Sequence, residues 1–187
     1  MAAVITITGT STAGKSTFVR RLCSERVGTF EPDLVRKFTT RAARDDDGLE
    51  ISTVDSIPDS CDLIYEQYGV RYGLDTSELY DRLSRGRSPV VILNDARSLY
   101  EMKYRFGRLC SCLFVFRDVP NEAGFRERVA SRGQFEEAEM ARRLSKSAAT
   151  YRLFVENIQL FDSIILNVRD LAFLGSQAAV LAARYGR

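Results

Sequence analysis

Residues 4–27 read VITITGTSTAGKSTFVRRLCSERV, and the pattern changes twice within them. Val4 to Thr8 is a mostly β-branched run closed by Gly9, which predicts a strand buried on both faces. From Ser16 onward the apolar positions Phe18, Val19, Leu22 and Cys23 recur at helical spacing and share one face. Between the two lies GTSTAGKS (9–16), a complete G-x-x-x-x-G-K-[ST]. After a buried strand and ahead of a helix, such a loop turns its backbone N–H groups inward on an anion, and the helix adds its positive end. Gly9 and Gly14 allow the tight turns, and Thr12, Ala13 and Thr17 belong to the same cradle. Lys15 supplies a mobile charge for β- and γ-phosphates, and Ser16 offers a hydroxyl to Mg²⁺. The pattern specifies a nucleoside triphosphate without naming the reaction.

Downstream, PVVILND (89–95), CLFVFRD (112–118) and FDSIILN (161–167) read as further strands. Helical patterns cover 97–106, 121–132 (begun by Asn121 after Pro120), 135–158 and 170–186. Strands alternating with helices predict an α/β fold, a parallel sheet with helices on both faces. One domain, 1–187, is expected. Residues 36–87 break the alternation with short apolar pieces and many turn residues, so they read as an insertion into a core of 1–35 and 88–187. The polar stretch 132–143 reads as a mobile lid.

The totals narrow the classes. A net charge of +2 provides no broad field for nucleic acid or membrane, so neither is expected as a partner. No apolar run reaches the length of a membrane span, and MAAVITITG has no signal-peptide pattern, so a cytoplasmic protein is expected. The absence of histidine removes Ser/His and Cys/His catalysis and mixed Cys/His zinc sites. Of the four cysteines, Cys110 and Cys112 alternate in an apolar strand pattern and are expected as buried small side chains.

KFTTRAAR (37–44) places Arg41 and Arg44 behind two threonines, ahead of Asp45-Asp46-Asp47. Guanidinium forks bind phosphate oxygens bidentately and stay charged. With the phosphate loop, this stretch makes the chain resemble the guanylate kinase family of P-loop kinases over most of its length. KFTTRAAR resembles that family's TTR-x-x-R segment, and YGVRYGLDTSEL (68–79) its tyrosine–glycine segment. VVILNDARS (90–98) resembles the strand ending in acidic residues. RVASRGQFEEAEMARRL (128–144) resembles the arginine-bearing lid, and FDSIILN the last strand.

The resemblance implies a P-loop kinase three-layer fold with an acceptor-binding insertion and a lid. It implies ATP and Mg²⁺, a small-molecule phosphate acceptor, and a monomer or homodimer. The reaction would carry the γ-phosphoryl group to a nucleoside monophosphate, GMP or dGMP. Arg41, Arg44 and Tyr72 would hold the acceptor phosphate. Lys15, Arg132 and Arg143 would surround the moving group, with Arg128 beside them and Asn167 near the adenine. Asp95, at a strand end, would hold a metal-bound water or an acceptor hydroxyl.

Lys37 stands where the family has a serine, Ile51 where it has a tyrosine, and Leu74 where it has a second serine. Leu93 replaces the first acid of the strand end. Glu66 takes the place of the base-reading glutamate, and Asn94 adjoins the acceptor. Asn94-Asp95-Ala96-Arg97 also resembles the strand end of ribose 1,5-bisphosphate phosphokinases, which implies a sugar phosphate as the alternative acceptor. Non-catalytic guanylate kinase-like binding modules typically lose parts of the loop that Gly9, Gly14, Lys15 and Ser16 complete here.

Overall fold

The computed structural model describes residues 2–43, 50–67, 69–117, 122–130 and 137–187. In chain order its first elements are β1 (Val4–Gly9), α1 (Lys15–Ser24), β2 (Pro32–Leu34), β3 (Lys37–Thr39), β4 (Ile51–Thr53), β5 (Leu63–Gln67), β6 (Val70–Leu74) and α2 (Ser77–Ser84). There follow β7 (Ser88–Ile92), α3 (Ala96–Phe106), β8 (Cys110–Phe116), α4 (Glu122–Ala130), α5 (Glu137–Glu156), β9 (Ser163–Leu166) and α6 (Leu171–Tyr185).

A five-stranded parallel sheet in the order β2-β7-β1-β8-β9 forms the middle layer. β1 is central and wholly buried, with Ile5 opposite Val90 and Ser111. Its alternation feeds two cores. Ile5 and Ile7 pack with Phe18 and Leu22 of α1 and Leu174, Ala178 and Leu181 of α6. Val4, Val91 and Leu93 pack with Leu99, Met102 and Phe106 of α3, on the face that also holds buried Cys110 and Cys112. On that second face Phe154 of α5 stacks on Phe114 of β8 at a centroid separation of 4.1 Å, which seats the C-terminal half of α5 on the sheet. The result is the helix–sheet–helix sandwich predicted from the strand–helix alternation.

β2 escapes the sequence reading. It has three residues, begins with Pro32 and pairs on one side only, with β7. Proline fits an edge strand because it has no N–H to give to a ladder. At the other edge the Leu166 N–H donates to Gln177 Oε1 at 2.8 Å, and Gln177 Nε2 donates to the Leu166 carbonyl at 2.7 Å. A side chain from α6 thus occupies backbone groups that would otherwise recruit another strand.

Residues 37–74 build a second sheet, β4-β3-β6-β5, antiparallel except for the β3–β4 pair. Of the stretch read as a lid, 137–143 is the start of α5, and 132–136 lies outside the described residues. Among the described residues no helix is long and apolar enough to cross a membrane.

Candidate functional site

The loop after β1 turns on two left-handed residues, Thr12 (φ +64°) and Gly14 (φ +91°). Left-handed conformations in a turn line successive N–H groups into a concave anion nest. Both glycines are also fixed by close approaches. A Cβ on Gly9 would stand 2.6 Å from the Val115 carbonyl oxygen of β8, and one on Gly14 would stand 2.4 Å from Asn167 Nδ2. That Asn167 nitrogen donates to the Ala13 carbonyl at 2.8 Å, while the Asn167 N–H donates to Phe116 O at 2.7 Å. Asn167, assigned to the adenine by resemblance, therefore fastens the loop to the end of the sheet. Lys15 Nζ lies across the loop and donates to the Gly9 and Thr10 carbonyls, both at 2.8 Å.

A cavity of about 190 Å³ opens above this loop. Gly9, Thr12, Lys15 and Ser16 line one side, and Lys37, Arg41, Gln67 and Tyr72 from the second sheet line another. Arg142, Arg143, Lys146 and Thr150 of α5 close it. The helix delivers these residues because of its buried stripe, Met140, Arg143, Ser147, Thr150 and Phe154, at spacings of three and four. The stripe's ends are apolar, with Met140 on Phe125 and Phe154 on Phe114. In its polar middle, Arg143 and Thr150 line the cavity. Arg143 is only 7% exposed and donates from Nε to Glu139 Oε1 at 2.8 Å, which orients the guanidinium plane.

On the second sheet, the Arg41 N–H donates to Thr39 Oγ1 at 3.4 Å and its Nη1 to the Ala42 carbonyl at 2.9 Å. Tyr72 is buried and stacks on Tyr65 with centroids 5.2 Å apart. Lys37, 5% exposed, donates from Nζ to the Ile92 carbonyl at 2.8 Å and to Tyr65 OH at 3.3 Å. Burial, then the neighbouring charge of Lys146, pushes the Lys37 amine down to about 8. The Asn94 amide lies on the loop. With its nitrogen inward it donates to the Gly9 and Leu93 carbonyls at 3.3 and 3.2 Å. With its oxygen inward it would accept only from the Gly9 N–H at 3.4 Å, so we take the first orientation.

Ser16 Oγ donates to Glu50 Oε1 at 2.7 Å. A hydroxyl and a carboxylate side by side are hard oxygen donors of the kind Mg²⁺ takes, usually one or two from protein with water for the rest. Leu93, in place of the family's first acid, is fully buried in the second core and faces away from such a role.

Three sequence-assigned residues stand elsewhere. Asp95 caps α3, accepting from the Ser98 N–H at 2.8 Å; it does not line the cavity, and its buried Oδ2 has no hydrogen-bond partner among the described residues. Glu66 is exposed, on the face of β5 opposite Tyr65 and Gln67, and Gln67 enters the cavity in its stead. Thr17 lies on α1 outside the lining. Arg44 and Arg132 lie outside the described residues, as does the side chain of Arg128 on α4. Glu50, Gln67 and Lys146 were missed by the sequence reading; Lys146 follows Arg143 by three positions on one helix face, a spacing that would have found it.

No protein-family model and no curated protein sequence matches the chain. Among solved structures, the crystal structure of a guanylate kinase from Anaplasma phagocytophilum superposes on 100% of this chain and 87% of its own, with a TM-score of 0.64 at 16% sequence identity. The fold is that of a guanylate kinase. At this identity the likeness extends to the fold, and the chemistry rests on the residues of the cavity.

Proposed function

We propose that the protein is an ATP-dependent phosphotransferase that moves the γ-phosphoryl group onto the phosphate of a small acceptor, as a nucleoside monophosphate kinase does. The observation that carries this reading is a single cavity entered by Lys15 and Ser16 from the phosphate loop and by Arg41, Tyr72 and Arg143 from the opposite walls. Phosphoryl transfer asks a protein mainly for placement and charge neutralisation. The loop N–H groups and Lys15 hold the β- and γ-phosphates of the donor. Arg41 holds the acceptor phosphate, with residues 36–87 as the acceptor-binding insertion, and Arg143 reaches the space between.

An acceptor phosphate oxygen is already ionised near neutral pH, so no general base is needed, in keeping with a chain that has no histidine. Residues 132–143, acting as a lid with Arg132 and Arg143, would exclude water until both substrates are bound. Ser16 and Glu50 would hold Mg²⁺, which when bound neutralises charge on the β- and γ-phosphate oxygens.

Two measurements follow. In a coupled ADP-release assay over GMP, dGMP, other monophosphates and sugar phosphates, Arg41→Ala is expected to raise the KM of the turned-over acceptor about 100-fold while shifting the KM for ATP less than about threefold. Equal shifts in both would remove Arg41 from the acceptor site. Glu50→Gln is expected to weaken Mn²⁺ binding to the ATP complex about tenfold, read by electron paramagnetic resonance, without weakening ATP alone. Unchanged Mn²⁺ affinity would take Glu50 out of the metal shell.

A further inference from the structure

Asp95 and Lys37 each keep an atom that the site so far described does not use. Asp95 Oδ1 accepts from the Ser98 N–H at 2.8 Å, while Oδ2 is buried and has no hydrogen-bond partner among the described residues. Lys37 is nearly inaccessible and lines the cavity with Arg41, its Nζ 5.2 Å from the centre of the Tyr72 ring. The amine gives one N–H to the Ile92 carbonyl and one to Tyr65 OH. An ammonium has three, and the third meets no acceptor among the described residues.

Charge ties the two side chains together. Burial acts first against the Lys37 ammonium, and the charge of Lys146 on α5 acts with it. Asp95, at the head of α3, is the largest influence in favour of the ammonium, followed by Glu50, with Arg41 a smaller opposing one. Burial, then the same Asp95 carboxylate, keeps the Tyr65 hydroxyl that accepts from Lys37 in its neutral form. Glu50 is engaged by Ser16, whereas no donor engages Asp95 Oδ2 among the described residues. A poorly solvated carboxylate stabilises a poorly solvated ammonium without touching it, because the interior screens charge weakly.

We propose that Lys37 is a further ligand of the acceptor phosphate beside Arg41, and that Asp95 is a positioning residue that acts on this phosphate only through Lys37, by stabilising the ammonium from outside the cavity. This rests on the phosphotransferase reading and specifies how its acceptor side is charged, whatever group carries the phosphate. The third N–H of Lys37 is the one that a phosphate oxygen takes. Capping α3 gives Asp95 a structural role as well, but asparagine caps a helix as readily as aspartate. Asp95→Asn therefore removes the charge and keeps the cap, so that a change at the acceptor is not a capping effect.

The test is a double-mutant cycle in ADP release by the full chain, with MgATP and whichever of GMP, dGMP, the other nucleoside monophosphates and sugar phosphates the parent turns over. Asp95→Asn is expected to raise the acceptor KM about fivefold while shifting the KM for ATP less than about twofold. Lys37→Met is expected to raise the acceptor KM about 30-fold. In the Lys37→Met background, Asp95→Asn should add less than about 1.5-fold, since the group it acts through is gone. If Lys37→Met does not fold, Lys37→Arg replaces it in the cycle. A guanidinium keeps its charge without a carboxylate's help, so Asp95→Asn should cost less than about twofold there. Equal effects of Asp95→Asn with and without Lys37, or no effect in the parent, overturn the role of Asp95. An unchanged acceptor KM in a folded Lys37→Met protein removes Lys37 from the acceptor site and overturns the whole proposal. Each of these leaves the phosphotransferase reading standing. No ADP release with any acceptor, while ATP still binds, overturns both.

Discussion

Lys15→Ala is expected to abolish ADP release at every acceptor concentration, with kcat/KM for ATP falling by about 10³-fold or more. The Lys15 amine spans the Gly9 and Thr10 carbonyls at 2.8 Å each, so the loop holds it at the mouth of the nest. The loop N–H groups can cradle phosphate oxygens, but they cannot follow the charge that moves onto the bridging oxygen as the bond to γ-phosphorus breaks. A flexible ammonium can. The fold should survive the change. Lys15 is half-buried, and the loop is fastened independently by Asn167 on Ala13 and by the approach of Gly9 to Val115. An unchanged thermal midpoint with lost turnover and weakened ATP binding by calorimetry is the expected pattern. A variant that keeps a tenth of the parent turnover would mean that the loop does not work as a triphosphate site.

The phosphate loop was legible because everything that makes it is local: a β-branched strand, two glycines, a lysine and a helix start. The second sheet was not, because its strands run for three to five residues and their registers are set by partners distant in sequence, such as Lys37 opposite Ile51 and Tyr65 opposite Tyr72. Glu66 shows the consequence. A strand turns alternate residues to opposite faces, so a slip of one position exchanges the inward for the outward set. Tyr65 and Gln67 face in and Glu66 faces out.

Asp95 shows a different ambiguity. An acid at a strand end is also the residue that caps the next helix, and here Ser98 N–H claims it. On α5 the signal was only partly read, since Arg143 was assigned to the site while Lys146 and Thr150 were not. The stripe that begins at Met140 and ends at Phe154 is polar only between those ends, at Arg143, Ser147 and Thr150, and of these Arg143 and Thr150 line the cavity. The contact between Ser16 and Glu50 had no sequence signal, since it joins two segments through tertiary packing alone.

Arg143→Lys should separate charge from geometry at the point of transfer. Arg143 is the most buried of the arginines lining the cavity, and Glu139 accepts from its Nε, so the guanidinium is held at a fixed tilt on a helix that Phe154 anchors to β8. Lysine keeps the positive charge but replaces a planar fork with a single mobile ammonium. If Arg143 acts on the moving phosphoryl group, which presents three equatorial oxygens, the loss falls on the transition state. We expect kcat to drop by about 10²- to 10³-fold, with the KM values for ATP and acceptor changing only a few-fold. Glu139→Gln, which loosens the tilt and keeps the arginine, should cost about tenfold in kcat by the same route. Single-turnover rates distinguish this from slowed product release, because both variants must be slow in the first turnover. An Arg143→Lys protein with kcat within twofold of the parent would reduce Arg143 to a structural residue of α5, and the charge at the centre of the cavity would have to be neutralised by groups on the other two walls.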